Sequence, residues 1–295
     1  MTKPIVATII LQLMEEGRLN LDDPAAMILN DIDYVQFDQI HMADGQSYAD
    51  QITVDNLLQH RSGLADFFLD APTRFNLSVL THPQRQFPTQ RIMETYYRYN
   101  MHEAAHFAPG EGYYYSDTNY VLLGLIIERL TGQSLPEAIR ERILIPTNMS
   151  ETRFEYYEDQ PISAPQLDSY LGPINMTRYI NLSYEWGGGG LVSTTHDTAA
   201  YIKALFAGEY FESDQTLELM VDNSANAAEG RSYARGLYHY DIHGLTFYGH
   251  GGFYGSLLIH NPTRGVTLSA HIAQASPPYS AQTLIDAVVE IVLSD

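Results

Sequence analysis

The stretch from Asp117 to Leu130 limits the fold more than any other part of this sequence. Val121, Leu122, Leu123, Leu125, Ile126 and Ile127 follow so closely that a helix here is apolar on every side. Such a helix is stable only in the middle of a helical cluster. Other segments supply the cluster. Residues 3–16 set Ile5, Val6, Ile9, Ile10, Leu13 and Met14 on one helical face, with Gly17 as the stop. Thr53 to His60 reads as a short helix ending at Ser62-Gly63, and Leu135 to Ile143 as another that stops at Pro146. Thr194-x-x-Asp197 opens a helix running to Phe206. Residues 66–90 show no clear period and contain prolines, which predicts a loop with helical turns. Further on, Leu245–Tyr248, Phe253–His260 and Gly265–Ile272 are short runs of β-branched and aromatic residues, with Asn261-Pro262-Thr263-Arg264-Gly265 as a hairpin connection. Ala281 to Leu293 is a closing amphipathic helix. Helices in the middle and an antiparallel sheet with a packing helix at the end make an α+β protein, not an alternating βαβ one.

A length of 295 residues suffices for one large domain or two interlocked subdomains. The formal charge of −20, with 16 basic residues in no cluster, excludes a phosphate-tracking nucleic-acid surface. The absence of cysteine excludes disulfides, thiol catalysis and cysteine–metal sites. No run reaches the ~18–20 apolar residues of a membrane span. The N-terminus shows no basic-then-apolar signal pattern and reads at once as a core helix, as if the chain started in mid-fold. Any targeting segment is then expected upstream of Met1, so periplasmic, secreted and cytoplasmic locations all remain open.

Three places carry chemistry. Lys3, one of two lysines, stands at the start of a buried helix, where desolvation would lower its pKa and make it a base; taken alone, it is an ordinary solvated lysine. The run from Pro109 to Tyr120 delivers Tyr115 to the mouth of the apolar helix, with Ser116 and Asp117 behind it. A nearby cation would favour the Tyr115 phenolate as a general base, while Tyr113 and Tyr114 read as packing. Gly249-His250-Gly251-Gly252-Phe253-Tyr254-Gly255 lies between two predicted strands, where glycines let a ligand approach and a free N–H serves as half of an oxyanion hole; alone, it is a tight hairpin with a surface histidine.

In order along the chain, these places resemble the motif set of the penicillin-recognising serine hydrolases: class C β-lactamases, DD-peptidases and related esterases. Leu57-Leu58-Gln59-His60-Arg61-Ser62-Gly63-Leu64, Tyr120 through Leu135, Gly189 through Thr194 and Tyr248 through Ser256 are also similar to that family's blocks, so the resemblance covers essentially the whole chain. It implies a β-lactamase/transpeptidase-like fold forming one unit over 1–295. Within it lie a remnant of the nucleophile helix (1–20), a mainly helical subdomain (21–185) and a sheet-containing subdomain (186–295). It assigns Lys3 to the lysine of Ser-x-x-Lys, Tyr115 to the tyrosine of Tyr-x-Asn, and His250-Gly251-Gly252 to the Lys/His-x-Gly position. Phe253 N–H becomes an oxyanion donor, and no metal or organic cofactor is needed.

The sequence departs from the family pattern where the nucleophile belongs. Counting back from Lys3, the serine falls immediately before Met1, and no other Ser-x-x-Lys exists. The implied activity, hydrolysis of acyl esters or amides through an acyl-enzyme, is therefore expected to be absent or impaired in this chain. The alternative is a non-catalytic relative that binds acyl or peptidoglycan-like ligands. The family's leading strands are missing too, and an uncovered sheet edge invites self-association. Asp117 in place of asparagine and His250 in place of lysine both disfavour a substrate carboxylate. Ester or amide substrates are thus expected ahead of β-lactams, with a substrate amine welcome beside the acidic group. A competing motif, His102-Glu103-Ala104-Ala105-His106, matches the zinc-peptidase pattern but has Pro109-Gly110 one turn later, so a zinc peptidase is a remote alternative.

Overall fold

A computed structural model describes residues 1–159, 161–275, 277 and 281–293. The first helix, α1 (Thr2–Glu15), is buried from Thr2 through Leu11 and again at Leu13. The single apolar face expected from the sequence understates this, because Lys3 and Thr8 are enclosed as well. Enclosed polar groups need partners. The Thr8 hydroxyl finds the Pro4 carbonyl at 2.9 Å and the Tyr201 hydroxyl at 2.8 Å. Helix α2 (Val54–Leu58) is opened by a capping box, in which Thr53 and Asn56 exchange side-chain and backbone hydrogen bonds of 3.1 Å.

The stretch expected to be loop contains α3 (Pro72–Thr81), and α4 (Thr89–Arg98) begins at its end. Phe75 and Val79 turn inward on α3, but Leu77 and Leu80 stay exposed, and those outward leucines hide the helical period. Helix α5 (Asp117–Thr131) is the apolar one, buried from Thr118 to Ile127. Gly132 closes it in the left-handed conformation at φ 73°, its N–H bonded to the Glu128 carbonyl. Helix α6 (Leu135–Ile139) is shorter than expected because Arg140–Leu144 continue it as a wider π-type turn. The glycine run forms a single helical turn, α7 (Trp186–Gly189), followed by α8 (Thr195–Phe206), capped by Thr194, and α9 (Asp214–Val221). Helix α1 packs against α5, α6, α7 and α9, and α5 against α2 and α7.

Four antiparallel strands lie side by side in chain order: β1 (Tyr238–Ile242), β2 (Leu245–Gly251), β3 (Ser256–Asn261) and β4 (Val266–His271). Strand β1 carries no apolar run and was not expected. It pairs with β2 across the two-residue turn His243-Gly244, both at positive φ, which matches the right-handed twist of the strands. Strand β3 begins three residues later than expected, since Phe253 and Tyr254 form the turn after β2. Helix α8 packs on β3 and β4. Helix α10 (Ala281–Leu293) sets Ile285 and Val289 against Ile242, Phe247 and Ile259. No helix among the described residues is long and apolar enough to cross a membrane.

Gly124 marks how tightly α5 is held: a Cβ there would lie 2.8 Å from the Trp186 ring. Alanine normally gains about 1 kcal/mol over glycine inside a helix. Here overpacking outweighs that gain, and Gly124→Ala is expected to destabilise by about 1–3 kcal/mol, measured by urea denaturation.

Candidate active site

The start of α1 delivers Lys3, the start of α5 delivers Tyr115 and Asp117, the glycine turn α7 offers a carbonyl, and the end of β2 supplies His250 and Gly251. The Lys3 ammonium is buried, donates to the Gly188 carbonyl at 2.7 Å and stands 2.5 Å from Asp117 Oδ1. It also lies over the faces of Tyr115 and Tyr120, 5.1 and 5.7 Å from the ring centroids. The glycines make this convergence possible. A Cβ on Gly187 would sit 2.4 Å from the Tyr120 carbonyl oxygen, and one on Gly189 2.7 Å from a Glu185 carboxyl oxygen. Trp186, just before them, holds φ 25° and ψ −117°, a strained backbone for a residue with a side chain.

These contacts change the proton inventory expected from the sequence. Burial alone would lower the Lys3 pKa, but the charge and hydrogen bonding of Asp117, joined by Glu185, overcome it and the net shift is upward. Lys3 is therefore a fixed cation and not a free base. Tyr115 moves the other way from expectation too. Burial first, and the Asp117 charge second, push its phenol well above the usual tyrosine range, so the neutral phenol is the resting form. Lys3 sits over the ring face of Tyr115, and Asp117 takes up its charge.

His250 is buried, not a surface residue, and its Nδ1–H donates to the Gly251 carbonyl at 2.5 Å. Burial above all keeps its pKa well below the ordinary imidazole value. The Nε2 lone pair has no hydrogen-bond partner among the described residues. The ring stands 6.4 Å from that of Tyr115 and 5.3 Å from that of Tyr238. Gly251 ends β2 opposite Leu257, and Gly252 N–H is spent on the Ser256 carbonyl at 2.8 Å. Phe253 N–H makes no hydrogen bond to the described residues, and its ring is exposed. The Asp117 carboxylate, expected to meet substrate, faces Lys3 instead.

Three residues were not singled out by sequence. Asp66 accepts from the N–H groups of Phe68, Leu69 and Asp117, and burial with the neighbouring Asp117 charge raises its pKa to about 7. Glu185 is raised to about 8 by burial and Asp117, against the pull of Lys3. His60 stacks on Tyr115 with 4.3 Å between centroids. Among 36 acidic residues nothing local marks Asp66 or Glu185. The zinc-peptidase pattern does not assemble. His102 lies in the single turn Met101–Glu103 against Tyr97, whereas His106 stacks on Tyr114 and bonds Asp70 at 3.2 Å. No cluster of three metal-ligating side chains occurs among the described residues.

Two measurements check these charges. Asp117→Ala strands the buried Lys3 ammonium, and a loss of about 3–5 kcal/mol in denaturant unfolding is expected. Glu185 has a folded pKa of about 8 against an ordinary 4.5. Between those values the folded chain keeps a proton that the unfolded chain has released, so stability drains as pH rises across that window. Each pH unit costs at most about 1.4 kcal/mol. Unfolding of Glu185→Gln across the same window should lose the share of the slope that Glu185 contributes, most plainly between about pH 7 and 8, above the raised pKa of Asp66.

The chain matches the family model described as Beta-lactamase over residues 1–293. It is 30% identical over 233 residues to esterase EstB of Burkholderia gladioli, covering 76% of this chain and 56% of the esterase. It is 26% identical over 226 residues to penicillin-binding protein 4* of Bacillus subtilis (strain 168), covering 71% of this chain and 44% of that protein. The chain thus spans about half the length of these curated relatives. Among solved structures, a D-stereospecific amidohydrolase from Streptomyces sp. superposes with a TM-score of 0.81 at 25% identity, over 97% of this chain and 84% of the other. The D-amino acid amidase of Ochrobactrum anthropi SV3 does so with 0.77 at 26%, over 98% and 84%. The two solved structures share this fold over nearly the whole chain, and this chain belongs to the β-lactamase family.

Proposed function

We propose that this site hydrolyses acyl esters or amides through an acyl-enzyme. The nucleophile in this reading is a serine three positions before Lys3, the place of the serine in the Ser-x-x-Lys motif. The observation that carries this reading is the meeting of Lys3, Tyr115 and His250 from three distant segments in one buried cluster. Lys3 supplies a fixed positive charge, and Tyr115 supplies a phenol flanked by an unoccupied acceptor, His250 Nε2. As the serine oxygen bonds the acyl carbon, Tyr115 takes the hydroxyl proton and passes its own through a bridging water to His250 Nε2, the two rings standing 6.4 Å apart between centroids. A proton on a buried imidazole is readily surrendered, and it returns by the same route to the leaving group as the bond to the acyl carbon breaks. Water then repeats the sequence to release the acid. Phe253 N–H and the serine's own N–H hold the oxyanion.

The charges select the substrate. Lys3 is already paired with Asp117, and His250 is neutral, so no free cation is left for the carboxylate of a β-lactam. The Glu185 carboxyl, which makes no hydrogen bond or ion pair to the described residues, holds its proton to about pH 8 and releases it when a cation comes beside it, which favours a substrate carrying an amine. The likeness to amidases acting on D-amino acids supports the same choice.

A second reading is a binder of acyl or peptidoglycan-like ligands without turnover. A fluorophosphonate probe separates the two, applied to the 295-residue chain and to the same chain preceded by serine. The serine-extended chain is expected to label once and to hydrolyse nitrophenyl esters faster than β-lactams, and the shorter chain to do neither. An extended chain that stays unlabelled leaves the binding protein. Label on the shorter chain overturns the assignment of the nucleophile and points to Ser256, whose Oγ stands 3.1 Å from His271 Nδ1.

A further inference from the structure

His60 lies in the turn after α2, fully buried, at φ 57°. Its Nδ1 faces two donors, Ser116 N–H at 3.1 Å and Asn119 Nδ2 at 3.0 Å. The orientation of the Asn119 amide is fixed in turn by the Ser62 hydroxyl, which donates to Oδ1 at 2.5 Å. On the other side of Tyr115, Tyr114 N–H donates to the His60 carbonyl at 3.0 Å. One residue therefore holds the chain immediately before and immediately after Tyr115. An imidazole nitrogen that accepts twice carries no proton, so the proton is on Nε2 and the ring is neutral. That Nε2–H has no hydrogen-bond partner among the described residues. It is enclosed by aromatic rings: Tyr115 at 4.3 Å and tilted 33°, Tyr233 at 4.7 Å and Tyr120 at 5.2 Å between centroids.

We propose that His60 is a positioning residue whose neutral Nε2–H tautomer sets the plane and reach of the Tyr115 phenol. The proposal rests on the reading of Tyr115 as the proton carrier, and it adds the part that holds the phenol in register. A protonated ring would put an N–H against the two donors at Nδ1 and a second cation near Lys3. Burial and Lys3 both act against that form. A left-handed backbone and a double acceptor together explain why a histidine that touches no reacting atom stands here.

The test has two independent arms. In the 295-residue chain, isotope-labelled histidine is followed by NMR from about pH 8 to about pH 5, a range in which an ordinary histidine gains its proton. His60 should keep an unprotonated Nδ1 throughout, and a protonated Nδ1 overturns the proposal whether or not the chain is an enzyme. In the same chain the Tyr115 ring signal, assigned through Tyr115→Phe, should shift in His60→Ala and return part-way in His60→Asn. Asparagine tolerates the left-handed backbone and keeps an oxygen acceptor. In the serine-extended chain, His60→Ala should lower kcat about a hundredfold while KM stays within about twofold, with His60→Asn between it and the parent. An unchanged kcat, or a loss confined to KM, overturns it. An inactive parent with both NMR results intact sinks the esterase reading and leaves the placement of Tyr115 by His60 standing.

Discussion

The Lys3 ammonium sits where the start of α1, the start of α5 and the glycine turn α7 come together, and its pairing with Asp117 decides the state of every group around it. A lysine buried on a central helix needs a counter-charge, because taking an isolated ammonium out of water costs several kcal/mol. Asp117 supplies that charge and the Gly188 carbonyl a hydrogen bond. Burial first, and the Asp117 charge second, make the carboxyls of Glu185 and Asp66 retain protons into the neutral range, with Lys3 pulling Glu185 the other way. The same negative neighbour helps keep the Tyr115 phenol neutral. Apart from one ion pair the groups around Lys3 thus rest in a discharged state, Tyr115 as a neutral phenol and His250 as a neutral imidazole.

Close approach of backbones is the second requirement, and it is met by removing side chains. Gly124 lets Trp186 lie against α5, Gly187 lets α7 touch the Tyr120 carbonyl, and Gly249 lets β2 lie against the Leu258 carbonyl of β3. Each approach shortens a distance that the site uses. The strain stored at Trp186 is tolerated because its ring is locked in the core.

Membership of the β-lactamase family accounts for the shared helices and sheet, while the charges point to chemistry of this chain's own. A family architecture supports many substrates, and the substrate is chosen by the few groups that face the cleft. Here the groups gathered around Tyr115 are a neutral histidine, a lysine already engaged and a carboxyl with no hydrogen-bonding partner among the described residues, and the proposed preference for uncharged or amine-bearing acyl groups rests on them.

Much of the fold was legible in the sequence, since apolar period and capping are local properties. The apolar run at Val121–Ile127, the Thr194 cap and the β-branched runs after Leu245 each declare an element without reference to anything distant. The helix at Pro72–Thr81 escaped because outward leucines blur its period, and β1 escaped because its pattern is polar and its place comes from pairing with β2. The motifs also bring Lys3, Tyr115 and His250 to notice, and the fold gathers these three in one cluster. Their ionisation was not legible in the motifs. Whether a buried lysine is a base or a fixed cation depends on a carboxylate 114 positions away in sequence and 2.5 Å away in space. The sequence by itself determined the elements and the chemical cast. Only the tertiary structure decided which groups hold protons, because desolvation and Coulomb energy depend on burial and on distances set when remote segments pack together.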